Sequence, residues 1–361
     1  MAGLISDPVD LRTRLGHLLE EWREPGATEL CELLHGMLAG AAGSDEAIHV
    51  EQLKKAVYRL RIGSEPSRAL VLKRHAPAIA QTDRLVVERW LPALGLVDRC
   101  PRLLATAAQR EGRWVWHVYE DLGSETLADR REPQCLEAAV DLIAELHTRG
   151  AGHPLLPEVR WHGRDHGVPF FTANLRDSIA ALEALAALRG NAPRELTTAR
   201  ARLLERLYRL LEEAPRRTRL MEEAGGPETL LHGDLWPKNV FVSMTGDGLR
   251  ARLIDWDHVS VGPLGYDVST FLYQSPAEER AWILRRYREA VARAGWRLPT
   301  DGELNLLFHT AETARCANCL LWPAMALLND GAEWGVAALV EIERWFEALR
   351  PPLADSRRRR R

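Results

Sequence analysis

Lysine is nearly missing from this chain: of 48 basic side chains only four are lysine, Lys54, Lys55, Lys73 and Lys238. A sequence so partial to arginine keeps lysine where a compact point charge on a thin stem is wanted, because a guanidinium fork is broader and differently hydrated. Long apolar runs are missing as well. No stretch approaches the ~18 apolar residues of a membrane span. Met1-Ala2-Gly3-Leu4 is not a basic segment leading into an apolar one, so no membrane partner and a cytoplasmic location are expected. A dominant charge of one sign is also lacking. The formal charge of −3 argues against a protein whose main task is to neutralise nucleic-acid phosphates, and favours a small-molecule partner. The five cysteines, an odd number spread widely, make no secretory disulfide framework. Cys316 and Cys319 are one close pair, but a zinc site would want a second pair or two histidines at ligand spacing, and only His309 is near. Buried or idle thiols are expected.

What is present is bulk. With 361 residues, 46 % of them apolar, the chain buries a large core, and its length suggests two lobes. Helical spacing of apolar residues over Pro8 to Trp22 and Ala27 to Leu38 predicts an N-terminal helical extension, residues 1–43. Strand-type segments follow at Ile48–Leu53, Val57–Ile62 and Ala69–Lys73, with Gly63–Ser67 as a turn, and then at Trp114–Tyr119. A helix capped by Thr82 or Asp83 separates them. These residues, 44–119, form the predicted small lobe.

Beyond Glu120 the pattern turns helical: Pro133–Thr148, Ala173–Leu188, Pro193–Leu211, Pro276–Ala294, Asp301–Leu328 and Glu333–Leu349. The stretch from His153 to Phe171, rich in Gly, Pro, His and Trp, reads as a loop. Strands return near Thr245-Gly246-Asp247-Gly248, a hairpin turn by composition. Residues 120–354 are thus a large helical lobe, and 355–361, ending in Arg357–Arg361, a disordered tail. The fold class expected is α+β, a small antiparallel-sheet lobe followed by a large helical one, with chemistry at their junction.

The chemistry is carried by His232-Gly233-Asp234-Leu235-Trp236-Pro237-Lys238-Asn239 and, one hairpin later, Ile254-Asp255-Trp256-Asp257. An Asp, an Asn five positions on and a further Asp closing an apolar strand supply what phosphoryl transfer needs: a carboxylate to orient a hydroxyl and two oxygen ligands for Mg²⁺.

In these motifs, and in Gly265-Tyr266-Asp267, the chain resembles the aminoglycoside phosphotransferase and choline kinase group, small-molecule relatives of the protein kinases. The resemblance runs from about Ile48 to the last long helices. It implies a bilobal protein-kinase-like fold and an ATP- (or GTP-) and Mg²⁺-dependent enzyme that phosphorylates a hydroxyl of a small molecule. Asp234 would be the catalytic carboxylate, an orienter first because dissociative transfer asks little of a base. Asn239 and Asp255 would hold the metal, and Asp257 would either complete its shell or brace the loop. His232 and Asp267 would support the loop from inside. Lys73 matches the lysine used on the α- and β-phosphates, with Glu88 on the next helix as its partner. Main-chain groups of Tyr119 and Asp121 would meet the adenine. His147 also matches a family position, where a histidine satisfied by a neighbour is the plainer meaning.

The chain departs from the pattern at the phosphate-covering loop, which reads Glu51-Gln52-Leu53-Lys54-Lys55-Ala56 without glycine. Lys54 or Lys55 would then supply charge in place of close backbone approach, unless Gly40–Ser44 is the loop instead. Lys238, beside the metal-ligand Asn, would touch the transferred phosphoryl group or an acidic acceptor, or face solvent. Glu303, Glu312, Arg315, Asp330 and Glu333 are polar candidates for the acceptor wall. The second function that the sequence allows is a nucleotide-binding pseudokinase without turnover. Acceptor identity and oligomeric state are not encoded in any motif.

Overall fold

The computed structural model of the protein describes residues 24–38, 48–63, 68–187 and 193–353. The segment Pro8–Trp22, the alternative loop Gly40–Ser44, most of the turn after Gly63 and the arginine tail lie outside the described residues. The chain divides into two compact units, Met1–Glu125 with Ser243–Asp257, and Thr126–Val242 with His258–Arg361.

The first unit is built on a five-stranded antiparallel sheet, order β1-β2-β3-β5-β4, with β1 Ile48–Lys54, β2 Val57–Ile62, β3 Arg68–His75, β4 Leu103–Ala108 and β5 Val115–Glu120. Helix α1 (Ala27–Leu38) is part of this unit and not an extension. Its Leu30, Leu34 and Leu38, at helical spacing, pack with Tyr58, Leu60, Ile62, Leu72, Trp116 and Val118 in one core. Strand β4 was not foreseen, because Leu-Leu-Ala-Thr-Ala-Ala has little intrinsic strand preference and forms by pairing with β5. Ser243–Asp257, expected in the helical lobe, groups with the sheet unit. The Leu253 N–H donates to the Arg99 carbonyl at 2.8 Å and Arg252 pairs with Glu120.

Helix α2 also corrects the sequence reading. It begins at Pro77, with proline in the first turn, and not at Thr82 or Asp83. It runs to Leu85 and continues through a π turn, Val86–Trp90. Asp83, Val86 and Trp90 are buried, so the inward face carries Asp83 where a capping residue was expected.

The second unit holds α3 (Pro133–Gly150), α4 (Leu156–His162), α5 (Val168–Ala184), α6 (Arg194–Ala224), α7 (Gly265–Tyr273), α8 (Ala277–Arg293), α9 (Asp301–Asp330) and α10 (Trp334–Ala348). The His153–Phe171 stretch, expected as loop, contains α4 and the start of α5. Helix α6 runs past the expected Leu211 because its buried stripe, Leu196, Ala199, Leu203, Leu207, Leu210 and Ala214, continues into the turn that carries Pro215. Stripes from α5, α6, α9 and α10 form the main core. Beside them lies a small mixed sheet, β6 (Arg164–Asp165) parallel to β10 (Ser260–Pro263), and β10 antiparallel to β7 (Glu228–Leu231). Strands β8 (Val240–Thr245) and β9 (Gly248–Leu253) make the hairpin expected around Thr245–Gly248. No described helix is long and apolar enough to cross a membrane.

Two histidines of this unit couple its stability to pH. Burial pushes His166 down to about 3, where its Nδ1 lies 2.7 Å from the Ser260 hydroxyl. Burial, reinforced by Arg217, pushes His309 down to about 4, and its neutral Nδ1 accepts from the Arg217 guanidinium at 3.2 Å. Unfolded imidazole titrates near ~6.5. The folded protein therefore binds fewer protons below that pH, and the contribution is fully present above ~6.5 and lost as pH falls toward the folded values. The urea midpoint is expected to drop on acidification through this window, and His309→Gln is expected to make the drop shallower.

Candidate active site

In the second unit, β7 delivers the chain into His232-Gly233-Asp234, and a single turn of 3₁₀ helix, Pro237–Asn239, brings Asn239 back beneath Asp234. The Asn239 side-chain amide donates to the Asp234 carbonyl at 2.8 Å and to its carboxylate Oδ2 at 3.3 Å. These two sequence-predicted residues are thus brought together. The Asp234 N–H donates to His232 Nδ1 at 3.3 Å, and His232 is fully buried.

Asp267, in the first turn of α7 and fully buried, accepts from the His232 N–H at 2.7 Å and the Gly233 N–H at 2.9 Å. His147, near the end of α3, completes the brace with Nε2 3.2 Å from Asp267 and Nδ1 2.8 Å from the Tyr287 hydroxyl. Burial by itself would raise the Asp267 carboxyl. The His147 hydrogen bond and charge, the nearby His232 and the Gly233 N–H outweigh it and hold the group below the usual carboxylate range. His232 and Asp267 therefore stand behind the loop. Gly233 has φ +81°, and a Cβ there would lie 1.8 Å from the His258 carbonyl oxygen.

Around this loop Lys238 is exposed, with its Nζ 4.3 Å from the Trp236 ring centroid. Arg315 lies over Trp236 at 5.5 Å and over Trp345 at 4.5 Å, and its guanidinium is bound by the buried Glu312. This aromatic and cationic wall was only half foreseen, since Glu312 and Arg315 were candidates and the two tryptophans were not. The available signal was Trp236 inside the motif itself. Glu303 is committed elsewhere, in a capping box with Thr300 at the start of α9, while Asp330 and Glu333 are exposed at the other end of that helix. Cys316 and Cys319 are free thiols on α9, both raised by burial.

In the first unit the cations gather on the second motif. Lys73, on β3, places Nζ 2.5 Å from Asp255 Oδ1 and 2.9 Å from Asp257 Oδ1, and Lys54 Nζ lies 2.8 Å from Asp255 Oδ2. Burial opposes both charged forms. The two carboxylates nevertheless raise the Lys73 ammonium, and Lys73 with Lys54 holds Asp255 well below the ordinary carboxylate range. Asp255 sits at φ +67°, a left-handed conformation rare outside glycine.

One expectation is corrected and two are refined. Glu88 does not meet Lys73; it is exposed and pairs with Arg84, because the inward face of α2 runs through Asp83, Val86 and Trp90. Of the two lysines in the β1–β2 turn, Lys54 reaches Asp255 and Lys55 is exposed beside Ala56, which takes φ +61° in place of a glycine. At Tyr119 and Asp121, where main-chain contacts are expected, the side chains are engaged within the unit: the Tyr119 hydroxyl donates to Asp83, and Asp121 accepts from Arg59 at 2.8 Å and from the Gly123 N–H at 3.0 Å.

Residues 52–301 match the phosphotransferase enzyme family. The chain belongs to that family, and its class is that of a small-molecule phosphotransferase with an α+β, protein-kinase-like fold. No curated protein matches it by sequence. Among solved structures it is similar to an ethanolamine kinase of Plasmodium vivax, with 11 % identity, TM-score 0.58 and 96 % of each chain covered. It is also similar to a choline kinase of Streptococcus pneumoniae, with 15 % identity, TM-score 0.51, and 89 % of this chain and 99 % of that one covered. A spectinomycin phosphotransferase in complex with ADP and spectinomycin gives 12 % identity, TM-score 0.54 and coverages of 88 % and 98 %.

Gly233→Ala is expected to destabilise the protein by more than about 2 kcal/mol, the upper end of the left-handed cost alone, since the clash with His258 adds to it. Thermal denaturation checks this.

Proposed function

We propose that the protein is an ATP- and Mg²⁺-dependent kinase that transfers a phosphoryl group to a hydroxyl of a small molecule, acting in the cytoplasm. The observation that carries the reading is the loop in which Asn239 holds Asp234 while Asp267 fixes the preceding two N–H groups from behind. A carboxylate so placed orients an incoming hydroxyl and accepts its proton late, which is what a loose phosphoryl-transfer transition state requires.

Mg²⁺ supplies charge neutralisation on the nucleotide phosphates when bound. The residues fit such an ion. Asp255 is held ionised, and Asp255 and Asp257 already share a cation, the Lys73 ammonium. Asn239 spends its amide nitrogen on Asp234, which leaves its amide oxygen as a ligand atom. We assign Asn239 and Asp255 as metal ligands, with Asp257 beside them, and Lys73 and Lys54 as the cations that meet the phosphates. Main-chain groups at Tyr119 and Asp121 are assigned to the nucleotide base. Lys238 and Arg315, stacked on Trp236, favour an acceptor with an anionic or neutral face over a polycationic one.

A nucleotide-binding pseudokinase is the second reading. It is favoured by the glycine-free turn at Lys55-Ala56, where backbone N–H groups approach phosphates less freely.

ATP consumption by the full chain, with and without Mg²⁺ and across a panel of hydroxylated metabolites and antibiotics, separates the two readings. Asp234→Asn is expected to retain nucleotide binding and to lower turnover roughly 100-fold or more. Normal transfer by that variant removes Asp234 from its role. Lys238→Met is expected to raise the KM for the acceptor and to leave the KM for nucleotide unchanged, which steady-state kinetics against each substrate reads.

A further inference from the structure

A second cluster in the first unit has no part in the assignments above. His75 ends β3, His117 lies on the adjacent β5, and Asp83 faces them from α2; they are 3 %, 1 % and 4 % exposed. One ligand atom from each lies within 4.8 Å of the others. His117 Nδ1 is 3.2 Å from Asp83 Oδ2 and 2.9 Å from the Tyr119 hydroxyl, which donates to the same Asp83 oxygen.

A buried hydrogen-bonded network accounts for Asp83, His117 and Tyr119, since each has a partner. It does not account for His75. The Nε2 of that ring is buried and makes no hydrogen bond, although an unsatisfied buried polar atom costs about 1–3 kcal/mol. Burial, then Lys73, pushes His75 down to about 4, so the ring is neutral and keeps a lone pair for a ligand. The groups facing it are Lys73, Asp83, His117 and, with its Oδ1 3.8 Å from His75 Nδ1, Asp257.

The geometry points to a binding site for a divalent transition-metal ion of zinc type, ligated by His75, Asp83 and His117, with the Tyr119 oxygen closing the fourth position. Two imidazoles and a carboxylate are a borderline-soft donor set that selects zinc or cobalt over magnesium. Donors at ~2.0–2.1 Å in a tetrahedron lie about 3.3 Å apart, close to the 3.2 Å between His117 Nδ1 and Asp83 Oδ2. Binding would draw the His75 nitrogen inward and part the Tyr119 hydroxyl from the Asp83 oxygen to which it donates. The ion would join β3, β5 and α2 at the point where Lys73, two residues before His75, leaves the same strand. Asp83 would then be a ligand as well as the residue that fills the inward face denied to Glu88.

The test is metal binding to the metal-free full chain, read without turnover. Zn²⁺ or Co²⁺ is expected to bind at one ion per chain, with the visible absorption of tetrahedral cobalt, in the presence of excess Mg²⁺ and equally in Asp255→Asn. His75→Gln, which removes a ring that makes no hydrogen bond through Nε2, is expected to keep the fold and lose this binding. Zn²⁺ is expected to raise the thermal midpoint of the wild type and to leave that of His75→Gln unmoved. Binding by His75→Gln equal to the wild type, no binding by either, or displacement by Mg²⁺ overturns the site. A thiolate-to-cobalt charge-transfer band also overturns it, by placing the ion on a cysteine such as Cys100, which feels the Asp83 charge.

Discussion

A carboxylate with no access to water holds the loop that carries Asp234 in shape. Asp267 gathers the N–H groups of His232 and Gly233 on its two oxygens and takes His147 as a third partner, itself fixed by Tyr287. Charge-assisted hydrogen bonds of this kind are strong because nothing competes with them inside the protein, and for the same reason none can be left unmade. Four segments far apart in sequence thereby share one point: the end of α3, the loop after β7, the first turn of α7 and the middle of α8. Asp234 inherits its position from that point, and Asn239 closes the loop from the other side.

The strand-rich unit solves a different problem, how to hold two acidic side chains close together. Lys73 and Lys54 grip Asp255 from both oxygens, and Lys73 reaches Asp257 as well. Breaking one of these partly buried pairs leaves an uncompensated charge, so the cluster behaves as a unit. The scarcity of lysine in the chain makes the same point from composition, since three of its four lysines stand at or beside this cluster and the fourth beside Trp236.

The two motifs were legible because their spacing is local. Asp234 and Asn239 are five residues apart and meet through one tight turn, and the apolar periodicity of the long helices needs no knowledge of what they pack against. Strand β4 was illegible because its alanines acquire strand structure only from β5, and α1 was misjudged because an amphipathic stripe does not say which surface will cover it. At Lys73 the sequence offered Glu88, an acid on the next helix. Fold geometry turned that side chain to solvent and presented Asp83 to a pair of histidines instead.

By itself, then, the sequence determined the fold class and the reaction class, because those depend on apolar periodicity and on residue type at short spacing. Only the tertiary structure decided which cation holds which carboxylate, what stands behind the loop, and that His75, Asp83 and His117 lie buried together near Lys73. Such pairings join residues a hundred or more positions apart, as Lys73 with Asp255 and His147 with Asp267 do. They follow from strand register and helix phase, which no local pattern encodes.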